Sequence, residues 1–283
     1  MGMARRIGRR PSHRPSVERT PPPSTDFHAP RRNWHADTVQ EVNLDLPLSR
    51  TAASLAAGPI GWRYLLGSLT VAIPVRSMTE AVHVAATAVS AAGEHADGHL
   101  RIDLRHDRVE LTVQTRATGA VSERDARLAR AVAESIDRIG LRAAGVTSDR
   151  TPRPVQRLEV AIDATDILAI RPFWKAVLAF ADDPADDSPT GGLIDPTGQL
   201  PAVWFQPMDA PRPQRNRVHL DLTVAHDEAE GRVKAAIEAG GVLVTDEYAR
   251  RFWVLADAEG NEVCVCTWAD RDEWQWRQVS GAE

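Results

Sequence analysis

The chain has 283 residues, of which 43% are hydrophobic and 26% charged, and its formal net charge is -5. This composition is typical of a globular protein, and the length fits one large or two ordinary domains. The acidic balance offers no electrostatic basis for a nucleic-acid or anionic membrane partner. No run of about 18 apolar residues predicts a membrane span, and the Arg-rich start lacks the apolar segment of a secretory signal, so we expect a cytoplasmic protein. Only two cysteines are present, Cys264 and Cys266, which excludes a disulfide framework.

The first 44 residues differ in composition from the rest of the chain. They are rich in Arg and Pro and show no apolar periodicity. Such a segment cannot bury enough surface to offset the entropy that it loses on ordering. We therefore predict a disordered tail at residues 1–44.

Residues 45–140 predict an α+β domain with helices on one face of an antiparallel sheet. Alternating apolar residues predict a strand at residues 69–75 and a hairpin around a turn at residues 106–108. Two capping signatures open long helices: Ser77 with Glu80, and Ser122 with Asp125. The apolar stripe predicted for the first of these helices consists of Ala81, Val82, Ala85 and Val89.

A motif with regular spacing runs through this domain. It reads Glu94, three residues, Gly98-His99-Leu100, five residues, His106, nine residues, Arg116, eight residues and Asp125. The frame resembles that of the pterin-4a-carbinolamine dehydratase family, which has histidines at the positions of Gly98, His99 and Arg116. The resemblance covers roughly residues 46–140.

The resemblance implies a hydro-lyase site in which imidazoles act as general acid and base, since their pKa lets them do either near neutral pH. It assigns proton transfer to His99 with Glu94 as its orienting partner, and substrate contacts to Arg116 and His106. Arg116 cannot replace a histidine as a base, because the pKa of a guanidinium exceeds about 12. His95, His99 and His106 are also compatible with ordinary surface histidines on a hairpin, an interpretation that is favoured for His95 and His106, whereas for His99 a surface and a pocket position both stay open. Asp125 already has a capping role.

Residues 141–154 predict a linker, and residues 155–270 contain an internal repeat. In each half a strand precedes a helix, at 167–179 and 228–239, and strands then surround an Asp-x-x-Gly turn, at 195–198 and 257–260. The repeat predicts a doubled β-α-β-β-β unit with a concave sheet, followed by a tail at 271–283. The segments at 217–221 and 257–265 resemble glyoxalase-like domains of the vicinal oxygen chelate superfamily.

Metal-binding members of that superfamily carry four ligands on the concave sheet. The resemblance places these positions on Glu159, on Trp204 or Gln206, on His219 and on Cys264. An oxygen-chelating divalent metal prefers carboxylates, imidazoles and water, and Cys264 stands where a carboxylate is expected. We therefore predict no metal and no cofactor, with these residues lining a small-molecule cavity.

Two hypotheses about function follow. The first is a dehydratase-like lyase with weak or altered activity, whose pterin turnover is expected to lie close to the uncatalysed rate because two of the three family histidines are missing. The second is a non-catalytic protein that binds a small planar or acidic molecule, such as a pterin, in the concave cavity of the glyoxalase-like domain. A homo-oligomer is expected from the resemblance to the dehydratase family.

Overall fold

The computed structural model describes residues 43–143, 155–212 and 218–271. The predicted tails and linker lie almost entirely outside these ranges, and so does Arg217. The boundaries 1–44, 45–140, 141–154, 155–270 and 271–283 therefore stay predictions. Within the described residues, no helix is both long and apolar enough to cross a membrane.

The first part of the chain is an antiparallel sheet covered by helices. Its helices are α1 (Arg50–Ala57), α2 (Met78–Ala92), α3 (Ala96–His99) and α4 (Glu123–Arg138). Its strands are β1 (Arg63–Leu65), β2 (Ser68–Pro74), β3 (Leu100–Leu104) and β4 (Arg108–Val113). They pair in the order β1-β2-β4-β3, each with an antiparallel neighbour. This confirms the predicted α+β class and the helices packed on one sheet face.

The helices begin where the capping residues predict. The Ser77 hydroxyl accepts from the Glu80 backbone N–H at the start of α2, and Ser122 forms a reciprocal capping box with Asp125 at the start of α4. The predicted stripe of α2 is partly wrong, because Val82 is 54% exposed. The buried stripe instead repeats at intervals of three and four residues, at Ala81, Val84, Ala88 and Ala92. Because α2 carries apolar residues on more than one side, its sequence is compatible both with the predicted stripe and with the stripe that is buried.

The second part of the chain consists of two modules of the same order. The first contains β5 (Glu159–Ala164), α5 (Ile167–Leu178), β6 (Ala181–Asp182), β7 (Leu193–Ile194) and β8 (Ala202–Pro207). The second contains β9 (Leu220–Thr223), α6 (Ala229–Glu238), β10 (Val242–Thr245), β11 (Phe252–Ala256) and β12 (Glu262–Cys266). The sheets have the orders β5-β8-β7-β6 and β10-β11-β12-β9. The predicted doubled β-α-β-β-β unit is confirmed.

Strand alternation determines which side chains face away from the helices. Ile162 on β5, Phe205 on β8 and Val263 on β12 lie in the core that the helices cover. Since successive residues of a strand point to opposite faces, the intervening positions form the opposite, concave surface of each sheet. Trp204 and Cys264 belong to that surface.

The two modules are joined by the Asp-x-x-Gly turn of the second module. The Glu259 carboxylate accepts from the Thr165 N–H at 2.9 Å, the Thr165 hydroxyl at 2.8 Å and the Asp166 N–H at 2.7 Å. Asp257 of the same turn accepts from the indole N–H of buried Trp174 at 2.9 Å. The turn therefore holds the start of α5 in the first module.

Glu259→Gln is expected to lower the free energy of unfolding by about 1–2 kcal/mol at pH 7, because an amide accepts these hydrogen bonds less strongly than a carboxylate. Burial raises the pKa of Glu259, but the hydrogen bonds from Thr165 and Asp166 outweigh it and hold the pKa below its usual range. A depressed carboxyl pKa stabilises the fold above the unfolded value, near 4.3, and this contribution is lost as the pH falls through the folded pKa.

Urea denaturation at pH 7 and at pH 3.5 measures this effect. The difference between wild type and variant should be smaller at pH 3.5, below the unfolded pKa, than at pH 7, and exposed Glu238→Gln on α6 is the matched control. Equal stability of wild type and variant at pH 7 would show that Glu259 does not hold the modules together.

Candidate functional site

The first candidate site centres on His99, at the end of α3. Its Nδ1 lies 2.7 Å from Oδ1 of Asp125, a residue of α4 that is fully buried. The Thr115 hydroxyl is 3.4 Å from the same nitrogen. The His99 side chain itself is only 13% exposed. One imidazole is thus fixed against a buried carboxylate at the junction of α3, α4 and the end of β4.

The other carboxylate oxygen of Asp125 is fully engaged. Oδ2 accepts from the Ser122 N–H at 2.7 Å, the Ser122 hydroxyl at 2.8 Å, the Thr115 N–H at 3.1 Å and the Thr115 hydroxyl at 2.7 Å. The capping box of α4 therefore also positions the carboxylate for His99. Every group that contacts Oδ2 is a hydrogen-bond donor, so this oxygen acts as an acceptor only.

This arrangement assigns the proton on the His99 ring. An ionised carboxylate only accepts hydrogen bonds, so Nδ1 of His99 carries the hydrogen that it donates to Asp125. Nε2 is then the nitrogen that can take up or release a proton, and the carboxylate stabilises the imidazolium that results. The pair resembles the His–Asp dyads in which a carboxylate orients an imidazole for general acid and base catalysis.

A second imidazole lies beside the first. The His95 ring is edge-on to His99, with ring centroids 6.0 Å apart. Arg124 donates from Nη1 to Nε2 of His95 at 3.1 Å and from Nε to Asp45 at 2.7 Å. His95 is therefore held by a cation and is poorly suited to carry a proton at Nε2.

The structure does not bring Glu94 to His99. The Glu94 side chain is 89% exposed, and its carboxylate lies 4.0 Å from Nε2 of His95. Asp125 takes the orienting role that the resemblance gave to Glu94. The difference arises because residues 93–95 form a 3₁₀ turn before α3, which leaves the Glu94 side chain in solvent.

Arg116 and His106 occupy different places. Arg116 is exposed and donates from Nη2 to the Leu100 carbonyl at 3.1 Å, next in the chain to His99. His106 lies in the turn beyond the other end of β3 and lines a surface groove of about 530 Å³ with Met78 and residues 103–108. A strand rises about 3.3 Å per residue, so His106 is roughly 20 Å from His99 and does not share its pocket.

The second candidate site lies on the concave face of the second module. His219, just before β9, has Nδ1 3.0 Å from Oδ1 of Asp221 and 3.9 Å from Sγ of Cys264. Ligand atoms of these three residues lie within 4.8 Å of one another. Burial, followed by the hydrogen bond to Asp221, raises the pKa of the Cys264 thiol to about 12.

The other predicted residues lie on the first module. Trp204 is 40% exposed, and Gln206 and Glu159 are exposed as well. Glu159 pairs with Ala202 across the parallel β5–β8 ladder, two positions before Trp204. Glu159 does not belong to the group around His219 and Cys264. Trp204 and Gln206 share one face of β8 because they are two residues apart.

These donors do not fit the divalent metal that the glyoxalase-like fold implies. An oxygen-chelating divalent metal prefers carboxylates, imidazoles and water as ligands, and a buried thiol is a poor substitute for a carboxylate. Cys264 stands in place of a carboxylate, and Glu159 is not grouped with His219. Asp221 is the only carboxylate in the group of three. No step of the chemistry below is therefore assigned to a metal.

The purified protein is accordingly expected to contain no stoichiometric metal. Elemental analysis of protein prepared without chelators measures this directly. About one Mn, Fe, Ni or Zn per chain, lost together with function on chelation, would contradict the prediction. Wild type analysed beside Cys264→Ala distinguishes a metal bound at this site from one bound elsewhere.

Comparison with known families assigns both parts of the chain. Residues 46–135 match the family model of pterin 4 alpha carbinolamine dehydratase, and residues 159–266 match that of a glyoxalase-like domain. The chain joins a pterin-carbinolamine-dehydratase-like domain to a glyoxalase-like domain. A search of curated proteins finds no match.

Solved structures resemble each domain separately. The glyoxalase-like domain is similar to a glyoxalase/bleomycin resistance protein/dioxygenase family enzyme from Burkholderia phytofirmans PsJN, at 23% identity over 38% of this chain and 95% of that one, with a TM-score of 0.33. The dehydratase-like domain is similar to a transcriptional coactivator/pterin dehydratase from Brucella melitensis, at 22% identity over 32% and 98% of the two chains, with a TM-score of 0.29.

Two residues of these sites, Asp125 and Asp221, were not assigned to them from the sequence. Asp125 was explained by its capping role alone, although its position at the end of the motif frame is a signal for a partner of His99. Asp221 follows His219 by two residues on the same strand face, and that alternation is the signal that predicts its contact.

Proposed function

We propose that the dehydratase-like domain is a hydro-lyase centre with a single proton-transfer group, His99, acting on a hydroxylated heterocycle of the pterin-carbinolamine class. The observation that carries the proposal is the 2.7 Å contact between Nδ1 of His99 and buried Asp125. A buried carboxylate that fixes both the orientation and the protonation of an imidazole is typical of a proton-transfer site.

One imidazole can serve both halves of a dehydration. Protonated His99 donates from Nε2 to the leaving hydroxyl, the C–O bond breaks, and the lone pair of the neighbouring ring nitrogen forms a C=N bond. Neutral His99 then accepts the proton of that nitrogen, which restores the imidazolium. The net change is loss of one water from the substrate, and Asp125 stabilises the imidazolium form of His99 with which the cycle begins and ends.

The rate should be modest because the family uses three histidines. A positioned acid or base contributes about 10²–10⁴-fold. The sequence alone predicts turnover close to the uncatalysed rate, because Gly98 and Arg116 supply no proton-transfer group. With His99 held by buried Asp125, we instead expect acceleration near the lower end of that range, about 10²-fold over the uncatalysed reaction. We assign to Arg116, whose Nη2 donates to the Leu100 carbonyl, the role of holding an acidic or carbonyl group of the substrate.

Dehydration of 4a-hydroxytetrahydropterin, followed spectroscopically, tests the proposal. Wild type should exceed the uncatalysed rate, His99→Gln should return to it, and His106→Gln should match the wild type because His106 lies beyond the far end of β3. Equal rates for wild type and His99→Gln would overturn the proposal.

A second function is favoured by the exposed Trp204 on the concave face of β8, beside Gln206. An exposed indole offers a flat apolar surface for a planar ligand, and a neighbouring amide can hydrogen-bond its polar edge. Thermal-shift screening with pterins, dicarbonyls and aromatic acids should find a ligand that raises the melting temperature of the wild type. The same ligand should leave Trp204→Ala unchanged if this surface binds it.

We also propose that the chain forms a homo-oligomer. Three large apolar residues on α2 remain in solvent: Met78, Val82 and Val89. Contiguous exposed apolar surface on a helix is suited to a protein interface. Light scattering should show a multiple of the 31.0 kDa chain mass, and Val82→Asp should reduce it.

A further inference from the structure

Three arginine side chains approach one another where the dehydratase-like and glyoxalase-like domains touch. Arg101 on β3 donates from Nη1 to the Gly198 carbonyl of the glyoxalase-like domain at 3.0 Å. Arg157, just before β5, donates from Nη2 to the Thr112 hydroxyl on β4 at 3.0 Å. These contacts cross from one domain to the other in opposite directions.

The strand register explains why the three cations are neighbours. Arg101 pairs with Thr112 across the antiparallel β3–β4 ladder, so Arg157 contacts the direct cross-strand partner of Arg101. Arg116 donates to the carbonyl of Leu100, the residue before Arg101. The guanidinium groups of Arg101, Arg116 and Arg157 are therefore gathered at one end of the sheet.

This arginine cluster carries positive charge that nearby carboxylates do not neutralise. Among the described residues, none of the three arginines has a carboxylate oxygen within 4.0 Å. Asp103 and Glu110, whose charges act on Arg101, have partners of their own, since Asp103 pairs with Arg105 at 3.2 Å and Glu110 with Arg108 at 3.3 Å.

Repulsion within the cluster affects Arg101 directly. Burial lowers the pKa of Arg101, and the positive charges of Arg157 and Arg116 lower it further, against a smaller opposing effect from Asp103 and Glu110. Bringing like charges together in a partly desolvated place costs free energy, and an anion between them would recover it.

Arg101 contacts the turn at residues 195–198 of the glyoxalase-like domain. Gly198 has a φ of +68°, and a Cβ added there would lie 2.1 Å from Nη1 of Arg101. Asp195 fixes this turn by accepting from the Thr197, Gln199 and Leu200 backbone N–H groups at 2.8–2.9 Å. A side chain at this position would be strained by the positive φ and would have to displace the end of the Arg101 side chain.

We infer that Arg101, Arg116 and Arg157 form a binding site for a doubly charged oxyanion, a phosphate group or a dicarboxylate, at the junction of the two domains. Arg101 and Arg116 each use one N–H in these contacts, and Arg157 uses its Nη2 for the hydroxyls of Thr112 and Thr70. A guanidinium has five N–H donors, so each has further donors to offer a ligand. Arg is the side chain best suited to bind phosphate and carboxylate oxygens in pairs. The site binds without any proton transfer at His99, so it does not rest on the proposed lyase activity.

Calorimetric titration of the full chain with inorganic phosphate and, separately, with succinate tests the inference. Wild type should bind at least one of the two dianions more tightly than chloride at equal ionic strength, and the comparison shows which oxyanion the site prefers. Arg157→Gln should weaken binding by about tenfold or more, whereas Arg157→Lys, which keeps the charge, should weaken it less. Arg130→Gln, an exposed arginine on α4, is the matched control and should bind as the wild type does.

Two results would overturn the inference. One is binding of both dianions no tighter than chloride. The other is equal affinity of Arg157→Gln and Arg130→Gln, which would make Arg157 a purely structural contact with Thr112. Melting curves of the unliganded variants show whether a loss of binding reflects a loss of folding, and the Lys variant keeps the test valid if the Gln variant unfolds. His99→Gln should bind the dianion normally, because the two sites share Arg116 but His99 belongs only to the lyase centre.

Discussion

Asp125→Ala is expected to lower the free energy of unfolding by about 3–5 kcal/mol, among the largest effects of any single substitution in the dehydratase-like domain. The change removes a fully buried carboxylate that accepts hydrogen bonds from Ser122 and Thr115 and contacts His99. The N–H and hydroxyl groups that it satisfied remain buried without an acceptor, and α4 loses its capping box.

Chemical denaturation followed by circular dichroism measures the loss. Asp125→Asn is the matched variant, because its amide oxygen can still accept from some of these donors, and it should lose less stability than the alanine variant. A loss below about 1 kcal/mol for Asp125→Ala would contradict the assigned network, since a single N-cap already contributes about that much.

Restoring the two missing histidines, with Gly98→His and Arg116→His together, is expected to raise pterin dehydration by about 10²-fold or more. The backbone permits the first change, because a Cβ added at Gly98 has no atom within 4 Å. Arg116 is exposed, so the second change disturbs no core packing. The two imidazoles would supply the acid and base groups that flank His99 in the dehydratase family.

Steady-state kinetics of the double variant against wild type measure the gain, with each single variant as a control. The effects on rate of residues that act as a unit are not additive. Each single variant should therefore gain less than half of the increase in log rate that the double variant shows. A wild-type rate as high as that of an intact family member would contradict the account. It would mean that His95 has taken over a missing role beside His99.

The sequence predicted most of the architecture because its signals are local. Ser77 and Ser122 cap helices through contacts three residues away, and the internal repeat placed both Asp-x-x-Gly turns and both helices of the glyoxalase-like domain. Local rules of capping and periodicity suffice for such features. The choice of buried stripe on α2 failed because Val82 and Val84 have similar hydrophobicity, and only packing against the sheet decides between them.

The candidate sites depend on contacts between residues far apart in the chain, which a single sequence does not encode locally. Asp125 lies 26 positions from His99 and reaches it only because α4 begins beside the end of β4. The Cys264 thiol lies 45 positions from His219 and meets it through parallel pairing of β9 with β12. The spacing motif located His99, whereas the resemblance to the family frame assigned its orienting partner to Glu94.

The rate of pterin dehydration by Asp125→Asn tests the central claim, that Asp125 holds His99 as the proton-transfer group, most directly. The measurement is made on protein shown by circular dichroism to be folded, beside wild type and His99→Gln at pH 7. The account predicts that most of the wild-type acceleration is lost, by about tenfold or more, because an amide at position 125 neither fixes the Nδ1 proton nor stabilises the imidazolium. A folded Asp125→Asn variant that turns over as fast as the wild type would contradict it.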